Sequence, residues 1–174
     1  MTAPNALYSE KQMCADVTIQ PEDFIYVGRL VEEKKPMLLV QAFHKALATD
    51  DFKAKLTIFG DGPERVKLQS YIEHHDLGHK IELMGHEGDL LILRKYYNSS
   101  VASVSPGYVG LSITQSISFG VPMIISNNEN HAPEIEAAEA DFNCEFFKTD
   151  SLDSLCDTLI RFYHNRNCWL TKRE

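Results

Sequence analysis

Residues 101–126 read VASVSPGYVGLSITQSISFGVPMIIS, and this stretch has the pattern of a complete strand–helix–strand unit. The apolar run over 101–105 predicts a buried strand, after which a Pro-Gly pair turns the chain. A short, mostly apolar helix is expected over 110–119, and Gly-Val-Pro ends it before a second apolar strand over 122–126. Because a helix joins the two strands, they are expected to run parallel in one sheet.

The same alternation extends along the chain on both sides of this unit. The other predicted strands cover 24–28, 55–60, 80–85 and 144–148, and the other predicted helices cover 36–48, 63–75, 88–100, 132–140 and 151–165. Ser151 is the expected cap of the last helix. This alternation predicts an α/β fold with a doubly wound, mostly parallel, six-stranded Rossmann-like sheet and helices on both faces.

A single domain is expected over residues 23–165. Residues 1–22 are polar and aperiodic, which is typical of a linker or tail. Residues 166–174 are interpreted as a C-terminal tail.

Composition argues against several classes of protein. The chain has 174 residues, is 44% hydrophobic and carries a net charge of −8, which disfavours a general nucleic-acid surface. No apolar run approaches the length of a membrane span, and the first residues lack the pattern of a secretory signal. The four cysteines show no C-x-x-C spacing, so no zinc site is expected and a cytoplasmic location is favoured.

Glycines follow four neighbouring strands of the predicted sheet. Gly28, Gly60 and Gly85 end the first three strands, and Gly107 and Gly110 follow the fourth. In a parallel sheet these strand ends lie at one edge, where open α/β sheets bind ligands and where glycine allows a ligand to approach the backbone. Tight strand-to-helix turns are the alternative reason for these glycines.

Two cationic residues follow the first strand in the sequence GRLVEEKK. This loop lacks the G-x-G-x-x-G fingerprint of a dinucleotide dehydrogenase. Arg29 lies at the strand end and Lys34 near the start of the next helix, which is suited to binding a diphosphate. The alternative is that Arg29 pairs with Glu32 or Glu33 and that Lys34 is solvated.

The loop after the fourth strand has the features of an anion site. Free amides are expected at Val109, Gly110, Leu111 and Ser112, where the next helix begins. Ser112 can add its hydroxyl, and Gln115 lies one helical turn further on.

The loop after the third strand is a candidate base pocket. It contains Met84, Gly85 and His86, and its backbone can pair with the polar edge of a nucleobase. An exposed histidine in a loop is, however, often without a function.

Together these motifs resemble glycosyltransferase family 4, a family of retaining enzymes of the GT-B type. The resemblance rests on YVGRLVEEKKPMLLVQAF, LTIFGDGPE, IELMGH and GLSITQSISFGVPMIIS, in that order, and runs from about Phe24 to about Phe162. It covers only the C-terminal half of such enzymes, which binds the nucleotide-sugar donor. The resemblance therefore implies a single GT-B half that has been separated from an N-terminal acceptor-binding domain.

The resemblance also implies roles for the candidate residues. Arg29 and Lys34 would neutralise the donor diphosphate without a metal, and the amides around Gly110 and Leu111 would hold the distal phosphate. The loop from Met84 to His86 would lie beside the base. The donor would be a UDP-sugar or a GDP-sugar.

The sequence departs from the family at two positions. The family commonly has two glutamates separated by seven residues, and here these positions are Gly107 and Gln115. Gln115 can still bind ribose hydroxyls through its amide, but Gly107 has no carboxylate to face the sugar. We hypothesise that Glu134 or Glu136 supplies that carboxylate. The alternative is that Glu134 only stabilises the start of its own helix.

The resulting prediction is the donor-binding domain of a retaining glycosyltransferase acting on a glycan or lipid-linked acceptor. The stretch from SPGYVGL to APEIEA is similar to transferases of bacterial surface polysaccharide synthesis. This domain is expected to make no membrane contact and to turn over little by itself. The alternatives are a non-catalytic nucleotide-sugar-binding module, a GT-B-type epimerase of a UDP-sugar, and a flavodoxin-like protein, which normally has an acidic cluster that is lacking here.

Overall fold

The computed structural model describes residues 20–171 and contains one parallel six-stranded sheet. The strands, in chain order, are β1 (Asp23–Val27), β2 (Leu56–Phe59), β3 (Ile81–Gly85), β4 (Ser100–Ser105), β5 (Met123–Ser126) and β6 (Cys144–Phe147). Their spatial order is β3-β2-β1-β4-β5-β6, and every neighbouring pair is parallel. The predicted doubly wound sheet is therefore confirmed.

Helices connect the strands. They are α1 (Pro36–Ala46), α2 (Arg65–His74), α3 (Leu90–Ser99), α4 (Ser112–Ser118), α5 (Leu152–His164) and α6 (Arg166–Leu170), with 3₁₀ turns at Glu32–Lys34 and Pro133–Ala137. Ser151 caps α5 as predicted, since its hydroxyl accepts a hydrogen bond from the Ser154 amide at 3.2 Å.

Both faces of the sheet are covered along its inner strands, which explains why these strands are apolar rather than alternating, as the edge strand β3 is. Every residue of β2, β4 and β5 is buried, as is typical of parallel strands between two helical layers. On one face Phe24 packs with residues of α1, α2 and α5. The next residue, Ile25, points to the other face and packs with Leu93 and Tyr97 of α3.

Three sequence predictions need correction. The helix expected over 132–140 is only the 3₁₀ turn Pro133–Ala137, and the helix expected over 110–119 is shortened to Ser112–Ser118. The tail expected over 166–174 contains α6, whose Trp169 stacks on Phe162 with ring centroids 4.4 Å apart. Residues 172–174 and most of the predicted linker, 1–19, lie outside the described residues. Across 20–171, no helix is both long and apolar enough to span a bilayer.

Candidate active site

A cavity of about 350 Å³ opens at the carboxyl edge of the sheet. It is lined by Val27, Gly28, Arg29, Phe59, Gly60, Asp61, His86, Glu87 and Gln115. These residues come from the ends of β1 and β2, the loop after β3, and α4. The fold therefore brings together five predicted site residues that are far apart in sequence: Gly28, Arg29, Gly60, His86 and Gln115.

The wall of this cavity depends on close backbone packing at Gly60. Its φ is +151°, and a Cβ on Gly60 would lie 1.8 Å from the carbonyl oxygen of Gly28. The Gly60 amide donates to the Gly85 carbonyl at 2.7 Å, and the Gly28 amide donates to the Phe59 carbonyl at 2.9 Å. Glycine is required at residue 60 because the ends of three strands meet there.

Arg29 is exposed at the rim of the cavity. Its guanidinium forms no ion pair with any residue of the described range, so the expected alternative pairing with Glu32 or Glu33 is absent there. The hydroxyl of Tyr26 fixes the backbone, because it donates to the Arg29 carbonyl at 2.8 Å. Burial raises the pKa of Tyr26 above its usual range, so this hydroxyl keeps its proton.

Lys34 is half-buried rather than solvated. Its Nζ donates to the Tyr108 carbonyl at 2.7 Å and lies 4.4 Å from the centroid of the Tyr108 ring. Burial, and secondly the charge of Arg29, lower the pKa of Lys34 to about 8. Lys34 therefore lies against the loop after β4, and it is not among the residues that line the cavity.

Lys35, next to Lys34, has a structural role. Its Nζ pairs with Glu129 at 2.5 Å and with Asp150 at 2.6 Å. These carboxylates belong to the loops after β5 and β6, so Lys35 ties the start of α1 to both loops. The two hydrogen-bonded carboxylates raise its pKa, against the opposing effect of burial.

The loop after β4 packs directly against the loop after β1. The Tyr108 amide donates to the Glu33 carbonyl at 2.9 Å. A Cβ on Gly107 would lie only 2.2 Å from the same Glu33 oxygen. The backbone contact therefore explains the glycine at residue 107, where the family resemblance leads one to expect a glutamate.

The predicted anion loop is partly occupied by the protein's own contacts. The Val109 amide was expected to be free, but it donates to His131 Nδ1 at 3.1 Å. The main-chain amides of Gly110 and Leu111 donate to no acceptor within residues 20–171. The Ser112 hydroxyl is buried without a hydrogen-bond partner in the same range. These groups at the start of α4 retain unused hydrogen-bonding capacity.

Gln115 of α4 lies in the cavity wall. The hydroxyl of the buried Tyr97 donates to Gln115 Oε1 at 3.4 Å. This hydrogen bond connects the Gln115 side-chain amide to Tyr97 of α3. Tyr97 was not among the residues predicted for the site.

The predicted base pocket is only partly in the cavity. His86, just after β3, lines the cavity, whereas Met84 belongs to β3 itself, is exposed and does not line it. Beneath the loop, Arg65 Nη2 donates weakly to the Leu83 carbonyl at 3.4 Å, while Nη1 is buried without a partner in the described range. A Cβ on Gly85 would lie 3.7 Å from this Nη1 atom. Arg65 was not among the predicted site residues, although its position at the start of the helix after GDGPE can be seen in the sequence.

Glu134 does not line the cavity. It lies half-buried in the 3₁₀ turn Pro133–Ala137, and its neighbour Glu136 is exposed. The turn is nevertheless close to the anion loop, because the Ala132 amide just before it donates to the Val109 carbonyl at 2.9 Å.

Comparison with known proteins gives a consistent family assignment. The profile described as "Glycosyl transferases group 1" matches residues 16–173. An uncharacterized glycosyltransferase of Methanocaldococcus jannaschii is 29% identical over 117 residues, which is 67% of this chain and 28% of that protein. The UDP-N-acetylglucosamine–peptide N-acetylglucosaminyltransferase GtfA subunit of Streptococcus agalactiae is 36% identical over 99 residues, 56% of this chain and 19% of that protein.

Solved structures with the same fold include TarM. TarM superposes with a TM-score of 0.77 at 19% identity over 91% of this chain and 32% of its own, and S. aureus TarM has been solved in a complex that contains UDP. The chain thus spans between about a fifth and a third of the length of these relatives.

Proposed function

The chain belongs to the group 1 glycosyl transferases, which are of the GT-B type, and from this premise we propose that it is the donor-binding domain of a retaining glycosyltransferase. In this proposal it binds a nucleoside-diphosphate sugar at the carboxyl edge of its sheet. The acceptor-binding half belongs to another part of a longer protein. The small share of each relative that this chain covers supports that division.

The observation that carries the proposal is the pair formed by Arg29 and Lys34. At the rim of the cavity, Arg29 offers a guanidinium that forms no ion pair with any carboxylate among residues 20–171. Lys34 is held at the same edge by the Tyr108 carbonyl. In an acidic protein with a net charge of −8, one cation at the cavity rim and a second in the same loop, on the Tyr108 carbonyl, favour a compact, multiply charged anion such as a diphosphate.

The same groups are suited to catalysis as well as to binding. When the bond to the sugar breaks, negative charge grows on the leaving diphosphate. Fixed cations and backbone amides then stabilise the transition state more than the bound donor. The amides of Gly110 and Leu111 and the hydroxyl of Ser112 would complete the cradle around the distal phosphate. No metal is required in this arrangement.

The nucleoside is proposed to lie on the β2–β3 side of the cavity. The backbone around Gly85 and His86 would face the base, and the Gln115 amide would bind the ribose hydroxyls. We favour UDP over GDP because the printed name of the GtfA subunit specifies UDP-N-acetylglucosamine and TarM has been solved with UDP.

The finer details remain part of the same proposal. Glu134 is proposed to face the transferred sugar, in place of the carboxylate that residue 107 lacks. The acceptor is proposed to be a glycan or lipid-linked molecule of bacterial surface polysaccharide synthesis, handled in the cytoplasm. Support for that acceptor comes from the similarity of SPGYVGL and APEIEA to such transferases.

A second candidate is a non-catalytic nucleotide-sugar-binding module. It is favoured by the contact between Gly107 and Glu33, which leaves no room for a side chain at residue 107. Both candidates bind the donor, but only the first transfers a sugar when the acceptor-binding half is present.

Calorimetric titration of this chain with UDP, GDP and ADP tests the common element of both candidates. We expect selective binding of UDP, insensitive to magnesium chelation, and a loss on the order of 10- to 100-fold in Arg29→Ala, since hydrogen bonds to charged groups are lost. Lys53→Ala is the matched control, because it removes an exposed positive charge that lies before β2, at the opposite edge of the sheet. Equal losses in both variants, or no binding by the wild type, would contradict the proposed function. Activity of the longer protein then separates the two candidates.

A further inference from the structure

His131 occupies a bridging position between two loops at the edge of the sheet. Its Nε2 lies 2.9 Å from the Ser126 carbonyl, and its Nδ1 accepts from the Val109 amide at 3.1 Å. A carbonyl can only accept and an amide can only donate, so the two contacts define the tautomer: Nε2 carries the proton and Nδ1 does not. The neutral ring therefore connects the end of β5 to the anion loop.

The next residue completes the bridge. The Ala132 amide donates to the Val109 carbonyl at 2.9 Å, so both backbone groups of the fully buried Val109 are bound by the segment 131–132. On the other side, both backbone groups of Tyr108 are bound by Glu33 and Lys34. The anion loop is thus fixed from two directions immediately before Gly110.

Within residues 20–171, the Glu129 carboxylate has other partners and forms no ion pair with the His131 ring. The Glu129 carboxylate accepts from Lys35 Nζ and from the Ser126 hydroxyl, at 2.5 and 3.3 Å. The contact between Glu129 and His131 runs through the backbone, with the His131 amide donating to the Glu129 carbonyl at 2.9 Å. Both ring nitrogens of His131 are therefore hydrogen-bonded to the main chain, one to Val109 and the other to Ser126.

From this geometry we infer that His131 is a positioning residue for the donor diphosphate. It holds Val109 in place, so that the amides of Gly110 and Leu111 stay at a fixed position when no ligand is bound. Through the adjoining Ala132 it also holds the start of the Glu134 turn beside that loop. An ordered loop binds an anion more tightly than a disordered one because less conformational entropy is lost on binding. This inference rests on the proposed function of the site.

Substitutions at His131 separate positioning from general folding. Asn can place its side-chain oxygen near the position of Nδ1 and keep the acceptor for the Val109 amide, whereas Ala removes it. His79→Ala is the control, because His79 is exposed and lies before β3, at the opposite edge of the sheet.

We would measure two quantities by NMR in this chain. The first is hydrogen exchange at the Val109 amide without ligand, which we expect to accelerate on the order of tenfold in His131→Ala and to be unchanged in His131→Asn and His79→Ala. The second is the affinity for UDP and for uridine. We expect His131→Ala to weaken UDP on the order of tenfold and to leave uridine unchanged, with rescue by Asn.

The outcomes distinguish the inference from the proposed function. Unchanged exchange at Val109, or equal losses for UDP and uridine, would overturn the role of His131 while leaving the donor site intact. If the wild type binds neither ligand but His131→Ala accelerates exchange at Val109, the positioning of the loop is supported and the proposed function fails.

Discussion

The carbonyl oxygen of Glu33 lies 2.2 Å from the place that a Cβ on Gly107 would occupy. Real Cβ atoms do not approach an oxygen so closely, so the loops after β1 and β4 meet at a point that admits no side chain. The Tyr108 amide, which donates to the same Glu33 oxygen at 2.9 Å, holds this contact together.

Gly107→Ala is therefore expected to destabilise the chain by about 1–3 kcal/mol, the usual cost of forcing an extra group into a packed site. The free energy of unfolding would be measured by urea denaturation. Gly88→Ala is the control, because a Cβ on Gly88 meets no atom within 4 Å. Equal stability of the two variants would show that the Glu33 loop yields without cost.

Binding of UDP is expected to weaken as pH rises through about 8, where Lys34 loses its proton. Below this pH the lysine is charged and can bind phosphate. Above it, affinity falls by at most tenfold per pH unit. The guanidinium of Lys34→Arg stays charged throughout, so this variant should show a flatter profile between pH 7 and 9.5.

The titration of Lys34 does not itself destabilise the fold in this pH range. The pKa of Lys34 is about 8 in the folded chain and ordinarily 10.5, so the unfolded chain binds more protons between these values. Through Lys34, stability therefore rises with pH in that window. A UDP affinity that stays constant across the window in the wild type would exclude Lys34 from the phosphate site.

Glu134→Gln is expected to reduce sugar transfer by the longer protein on the order of 100-fold or more while changing UDP affinity less than twofold. The reason is that the proposed carboxylate faces the sugar and not the nucleotide. Initial rates and UDP titrations would be measured in parallel with Glu136→Gln. A larger loss of rate in Glu136→Gln would assign the carboxylate to that residue, and full activity of both would remove the hypothesis.

Trp169→Ala is expected to destabilise the chain by about 3 kcal/mol, because a buried aromatic side chain is lost. Trp169 stacks on Phe162 and is 8% exposed. Leu91→Ala, at a residue that is 74% exposed, is the matched control for urea denaturation. Similar midpoints for the two variants would mean that α6 contributes nothing to the domain.

The strands were predictable because each is a short, mostly apolar run, and the central strands are buried on both faces. Of the three corrected predictions, those for residues 132–140 and 166–174 failed for separate physical reasons. The stretch APEIEAAEA contains good helix formers but no apolar stripe, and the chain must instead extend toward β6, where Ala140 bridges to Cys144. Cys168, Trp169 and Leu170 are consecutive apolar residues without helical spacing, so the local pattern gives no signal for α6.

The site was predictable only where it depends on local sequence. Gly28, Arg29 and Lys34 follow β1, and Gly60 follows β2, so these residues can be identified directly from the sequence. The contact of Lys34 with Tyr108 joins residues 74 positions apart, and that of Val109 with His131 joins residues 22 apart. Such pairings depend on the crossover of the sheet, so no periodicity or spacing indicated Tyr108 or His131.

The contact between Gly107 and Glu33 also restricts the mutational routes open to this sequence. A carboxylate cannot be introduced at residue 107 by a single substitution, because the Cβ of the new side chain would collide with the main-chain carbonyl of Glu33. The turn Glu32–Lys34 would have to move first, and that movement would displace Lys34, which is its last residue. Glutamate at residue 107 is therefore incompatible with the present main-chain packing. A carboxylate that faces the sugar is more easily supplied from Glu134, where one is already present.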